Sequence, residues 1–303
     1  MALFQINKDK LSLIKEDKFK LEKEIQKLTE NNLSNIFSLD FVKSEFALNS
    51  FRIDTLAFDK KSNSFIIIEY KRDKSFSVVD QGYAYLSLML NNKADFILEY
   101  NENTEYTLKR NDVDWSQSRV MFISPSFTTY QKEAINFKDL PIELWEIKRY
   151  SNHTVSFNQI QTQGAEESIK TISKDNDTIN KVSKEIKVYT EDDHLSHSND
   201  EIKELYEKFK TTILSFDGAE IKPQKLYIAF TKNSSNFVDL ELQKKALKIY
   251  INLPIGKLED PKSLARNVSN VGTWGNGDYL IKIENDYDYE YIMSLIKQSY
   301  LAK

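Results

Sequence analysis

Phe65-Ile66-Ile67-Ile68-Glu69-Tyr70-Lys71 is the stretch whose reading decides the fold. Its β-branched and aromatic residues favour a strand. An apolar run without polar alternation marks a central strand covered on both faces. Residues two apart on a strand share a face, so Glu69 and Lys71 project together while Tyr70 points away. Upstream, Ile53 to Phe58 is a second apolar run, and Lys60-Lys61-Ser62-Asn63 between the two is a turn signal. The pair predicts a hairpin, across which Asp54 can face Glu69 and Lys71.

Outward from this hairpin, Asp9 to about Asn32 predicts an amphipathic helix, with Leu11, Ile14, Phe19, Leu21, Ile25 and Leu28 near helical spacing. Phe41 to Leu48 is a further strand. Val78 to Leu90 reads as a helix, Phe96 to Tyr100 and Val120 to Ile123 as strands, and Phe127 to Asn136 as a helix. Ile142 to Ile147 and Thr154 to Ile160 are strand-like. The order α-β-β-β-α-β-α-β-β implies a mixed sheet with flanking helices, an α/β or α+β domain over residues 1–160.

From Gln161 to Asn199 polar residues dominate, and we expect a linker with a weak helix near Ile169 to Ile186. A second, smaller α+β domain is expected over 200–303. Its helix Glu201 to Phe216 has Asp200 as N-cap and Gly218 as a stop. Strands follow at Lys225 to Thr231, Phe237 to Leu242 and Leu247 to Leu253. Then come a short helix at Pro261 to Val268, a strand at Tyr279 to Ile283 and a closing helix at Tyr289 to Tyr300.

Composition narrows the chemistry. The chain has 303 residues, no cysteine and three histidines. A disulfide scaffold, a thiolate zinc site and a cysteine nucleophile are excluded. The 42 Lys+Arg against 46 Asp+Glu argue against a protein that coats nucleic acid through bulk positive charge. No stretch reaches the roughly 18–20 apolar residues of a membrane span, and no secretory signal is evident at the start. A cytoplasmic protein without membrane association is expected.

Burying Glu69 and Lys71 at the end of a deep strand costs several kcal/mol unless the charges are paired or bound to metal. A Glu-x-Lys alone is most often a strand-edge ion pair. Here the apolar run before Glu69, the upstream Arg52-Ile53-Asp54 and the following helix point elsewhere. On that helix Gln81 and Tyr85 stand at i and i+4, on one face. Two carboxylates and a backbone carbonyl are hard oxygen ligands suited to Mg²⁺ or Mn²⁺. Such a cation activates water and stabilises charge on a phosphate. Lys71 can orient or deprotonate that water, or stabilise the transition state.

Asp54 with Glu69-Tyr70-Lys71 resembles the PD-(D/E)XK nuclease superfamily. Gln81-Gly82-Tyr83-Ala84-Tyr85 is similar to the Gln-x-x-x-Tyr motif of its RecB-like members. Ile53 stands where the nominal motif has Pro. The resemblance covers residues 1–160 and implies a restriction-endonuclease-like fold and an Mg²⁺- or Mn²⁺-dependent DNA nuclease, in restriction, repair or phage defence. It implies metal ligation by Asp54, Glu69 and the Tyr70 carbonyl, and catalysis by Asp54, Glu69 and Lys71. Gln81 would position the site or the DNA backbone. Glu30 on the first helix would complete the site, with Glu22 and Glu24 as rivals. Arg72, Lys74 and Tyr85 would contact DNA, and a homodimer is compatible with it.

Residues 1–161 carry 22 basic and 23 acidic side chains. DNA would therefore be held by local patches: Lys71-Arg72-Lys74, Lys109-Arg110, Lys148-Arg149 or the Lys-rich first helix. The histidines and the Gly272-Thr273-Trp274-Gly275-Asn276-Gly277-Asp278 segment read as linker and turn residues. The second domain resembles an uncharacterised domain that follows nuclease-like domains and is sometimes labelled a predicted transport protein. Two other readings stay open. One is a non-catalytic binding protein with a nuclease fold. The other is a regulatory or transport-associated protein with structural ion pairs.

Overall fold

Alternation, not helical periodicity, governs the first fourteen residues. The computed structural model describes residues 2–72, 76–161, 165, 167–172, 176–271 and 277–303. In it β1 (Leu3–Asn7) and β2 (Lys10–Ile14) form an antiparallel hairpin that, among the described residues, pairs with no other strand. Lys8 turns the chain with a left-handed φ of 57°. Lys10 and Ser12 alternate with Leu11 and Leu13, a period of two that suits a strand. The helix expected over Asp9 to Asn32 is thus confined to α1 (Glu22–Glu30), after a short β3 (Glu16–Asp17), and is followed by α2 (Leu33–Phe37).

The central sheet holds β3, then β4 (Asp40–Leu48), β5 (Phe51–Asp59), β6 (Ser64–Tyr70), β7 (Arg119–Ser124), β8 (Ile142–Tyr150) and β9 (Val155–Gln159). Its spatial order is β3-β8-β7-β6-β5-β4, with β9 paired to β8. The β6–β7 and β7–β8 pairs are parallel and the others antiparallel. Every residue of β6 is buried, as its unbroken apolar run predicts. Ile66, Ile68 and Tyr70 pack with α1 and α2 on one face. Phe65 and Ile67 pack on the other with α3 (Val78–Asn91) and α4 (Lys93–Asn103).

α4 replaces the strand expected at Phe96 to Tyr100. The local run is short and apolar, and periodicity cannot assign such a run. Phe96 and Tyr100, one helical turn apart, are buried while Leu98 between them is 56% exposed. α5 (Thr129–Ala134) follows β7 with a capping box between Thr128 and Gln131. Within the polar stretch after β9 lie α6 (Ile169–Ile172) and α7 (Asp177–Glu185). Ile169, Ile179, Val182 and Ile186 join the α3 side of the core.

The chain divides into two compact units, Met1–Asp59 with Asn63–Val188, and Lys60–Ser62 with Tyr189–Lys303. The second contains α8 (Glu191–Leu195) and α9 (Asp200–Leu214). Its sheet is built from β10 (Glu220–Pro223), β11 (Ile228–Lys232), β12 (Ser235–Gln243), β13 (Ala246–Ile251), β14 (Arg266–Asn267) and β15 (Tyr279–Ile283). α10 (Tyr289–Leu301) closes the unit. The sheet is antiparallel throughout, in the order β10-β11-β12-β13-β15-β14, with an apolar face against α9 and α10. Asn199, not Asp200, caps α9, accepting from the Ile202 amide. No helix forms over Pro261 to Val268; that stretch turns and enters β14. Among the described residues, no helix is long and apolar enough to cross a membrane.

Candidate active site

The β5–β6 ladder brings the two acidic residues together. Thr55 pairs with Ile68, so the next pair outward is Asp54 with Glu69, side chains on one face. Glu69 Oε1 accepts from the Asp54 amide at 3.2 Å, and Asp54 Oδ2 accepts from the Tyr70 amide at 3.0 Å. Each carboxylate is tied to the other's strand. The Lys71 amide donates to the Ile123 carbonyl at 3.0 Å, extending the β6–β7 pairing past Tyr70. This directs Lys71 to the Glu69 face, with Nζ 3.3 Å from Glu69 Oε2. Ser77 caps α3, accepting from the Asp80 amide. One turn in, Gln81 Nε2 lies 3.5 Å from the Tyr85 hydroxyl, which donates to the Arg52 carbonyl at 3.4 Å.

Two carboxylates here face one ammonium. Burial pushes the Glu69 carboxyl up to about 7, helped by the neighbouring Asp54 charge and opposed by Lys71. Burial likewise raises Asp54, against the Tyr70 amide and Lys71; Glu45 and Glu22 add to the rise. The pair carries more negative charge than its surroundings balance. Among the described residues, no three His, Asp or Glu side chains form a group that could hold a metal ion. Two carboxylates completed by water or phosphate oxygens are nevertheless a set that Mg²⁺ accepts. The donor chemistry fits a hard divalent cation.

Residues 191–303 match a family model described as a domain of unknown function, DUF5655. A Haemophilus influenzae protein, described as uncharacterised, is 55% identical over 300 residues, 99% of each chain. This chain belongs to the family of that Haemophilus protein. Among solved structures, a repair endonuclease from Pyrococcus abyssi is 22% identical at a TM-score of 0.26. The match covers 39% of this chain and 44% of that one. A complex of EndoMS with double-stranded DNA is 15% identical at a TM-score of 0.27, over 48% and 64%. Scores this low carry neither fold nor activity across.

The structure brings Asp54, Glu69, Lys71, Gln81 and Tyr85 to the α3 face of the sheet, and places Glu30 on the other. Glu30 Oε1 accepts from the Thr55 hydroxyl at 2.6 Å and from Gln26 Nε2 at 3.0 Å. Thr55 and Tyr70 share that face, their hydroxyls 3.2 Å apart. Glu24 pairs with Arg149. Glu22 lies nearer the pair, accepting from the Arg72 amide at 2.7 Å. The Arg72 guanidinium donates to the Lys20 carbonyl at 2.7 Å. Lys148 and Arg149 form ion pairs with Glu16 and Asp17. Lys74 and Trp274 lie outside the described residues.

Two residues of this site escape sequence reading. Buried Gln26 donates to the Asp54 carbonyl at 2.9 Å and to Ser44 Oγ at 3.2 Å, tying α1 to β4 and β5. Glu45 takes a left-handed φ of 54° within β4, where Lys23 and Arg52 pair with its carboxylate at 2.7 and 2.6 Å. The Lys23 hydrogen bond holds its carboxyl below the usual range. A polar residue among the apolar positions of α1 is the single signal for Gln26. No local pattern marks Glu45, because a left-handed backbone and contacts from α1 and β5 define it.

Proposed function

We propose that this chain is a divalent-cation-dependent DNA nuclease of the PD-(D/E)XK type, acting in the cytoplasm. One observation carries the reading: two buried carboxylates face each other at the end of a central strand, with an ammonium 3.3 Å from one of them. Asp54 and Glu69 would hold Mg²⁺ or Mn²⁺, with the Tyr70 carbonyl as a third ligand. When bound, the cation lowers the pKa of a coordinated water and offsets charge on the scissile phosphate.

The chain's own residues do the remainder. Lys71 presents its ammonium to the non-bridging phosphate oxygens as negative charge develops there. Gln81 and Tyr85 flank Glu69 from the α3 side and orient the site. In the reaction a water oxygen bonds to phosphorus and gives up its proton. The phosphorus–oxygen bond to the leaving group breaks, and that oxygen ends protonated. The second unit serves as a binding or specificity module in this reading.

The test is incubation with supercoiled, linear and single-stranded DNA in Mg²⁺ or Mn²⁺, with Lys71→Ala and Asp54→Asn as controls. Cleavage by the wild type that is lost with chelator and in both variants is the expected result. Indistinguishable behaviour of wild type and variants on every substrate and metal would refute the reading.

A further inference from the structure

The β1–β2 hairpin presents an apolar face that is exposed among the described residues. Phe4 pairs with Leu13 and Ile6 with Leu11, so all four side chains stand on one face in two rows. They are 49%, 57%, 72% and 66% exposed, respectively. No charged residue interrupts the face, and Gln5, Asn7, Lys10 and Ser12 occupy the other. Among the described residues the hairpin is a two-stranded sheet paired with no other strand. An isolated hairpin of two strands is marginal in water, and contact on its apolar face is what makes it persist.

We infer that this face is a homodimer interface, with the hairpin of a second copy of this chain packed against it across a two-fold axis. A closed dimer uses the same patch on both subunits, which requires self-complementarity. An uncharged face of two parallel rows meets that requirement, since it meets an identical surface without burying a charge. The area is also adequate. With roughly 200 Å² for a fully exposed large apolar side chain, the four leave about 500 Å² open per copy. Face-to-face packing then buries about 1,000 Å² in total, the lower bound for a specific interface. The inference does not rest on nuclease activity.

The test is the solution mass of the full chain by analytical ultracentrifugation, alone and as the Ile6→Lys/Leu11→Lys double variant. The wild type is expected to sediment at twice the 35.4 kDa chain mass. The double variant should sediment as a monomer that keeps a cooperative unfolding transition, since both side chains lie outside the buried core. The chain has no cysteine, so a single Ile6→Cys change gives a second, independent readout. A thiol cross-linker should join Ile6→Cys copies but not copies carrying Gln5→Cys, on the opposite face of the same hairpin. A monomeric wild type overturns the inference, and so does a dimer that survives the double variant. A monomer that floats with lipid vesicles overturns it too, by giving the face to a membrane surface.

Discussion

Replacing Glu69 by Gln tests the electrostatics of the site without any assumption about substrate. Burial and the Asp54 charge move the Glu69 carboxyl from 4.5 to about 7. The folded state therefore binds this proton more tightly than the unfolded chain does. Stability from this group is fully present below pH 4.5 and is lost as pH rises through about 7. Each unit of displacement corresponds to about 1.4 kcal/mol, so ionising Glu69 costs the folded state about 3 kcal/mol at pH 8. Gln has nearly the same shape and does not ionise. Without divalent cations, the variant should match the wild type near pH 4.5 and exceed it by up to about 3 kcal/mol at pH 8. For a unit of this size that is roughly 6–12 °C in melting temperature. The assay is thermal unfolding by circular dichroism in chelator-containing buffers across this range. A stability difference that stays constant with pH would refute the reasoning, because it would mean that Glu69 does not titrate abnormally.

Other expectations follow from single contacts. Lys71→Ala should abolish metal-dependent DNA cleavage while leaving the unfolding transition cooperative, measured on the same preparation. Half-buried Arg119 lies between Asp59 Oδ2 at 3.3 Å and Glu143 Oε1 at 2.8 Å. Arg119→Met should cost about 1–3 kcal/mol by removing its charge-assisted hydrogen bonds to the two carboxylates, measurable by urea unfolding. A Cβ at Gly277 would lie 2.4 Å from the Ile251 carbonyl oxygen. Gly277→Ala should thus destabilise the second unit by about 1–3 kcal/mol, because the obstacle is backbone. Gln26→Ala should cost about 1–3 kcal/mol through the unsatisfied Asp54 carbonyl, detected as a lower melting temperature.

Much of the fold is legible along the chain. The unbroken Phe65 to Ile68 run announces a central strand because burial on both faces requires it. Period-two spacing then sets Glu69 and Lys71 on one side and Tyr70 on the other. The helix of Gln81 and Tyr85 is equally local, since i and i+4 positions meet whatever surrounds them. Where several conformations satisfy the same pattern, local reading fails. Leu11 and Ile14 suit a helix while Leu11 and Leu13 suit a strand, and a turn at Lys8 settles it. Phe96-Ile97-Leu98 suits a strand until Phe96 and Tyr100 find the same side of the core.

What the sequence determined by itself is the set of chemical groups: carboxylates at 54 and 69, an ammonium at 71, and no thiolate in the chain. Residue identity and strand period are enough for that. The tertiary structure alone decided which groups meet. The Asp54–Glu69 pairing depends on the hairpin register. The placement of Glu30 across the sheet depends on the side from which α1 packs. Gln26 and Glu45 come near Asp54 through contacts between residues far apart in the chain. Their energies depend on burial and distance, and neither is written in the order of residues.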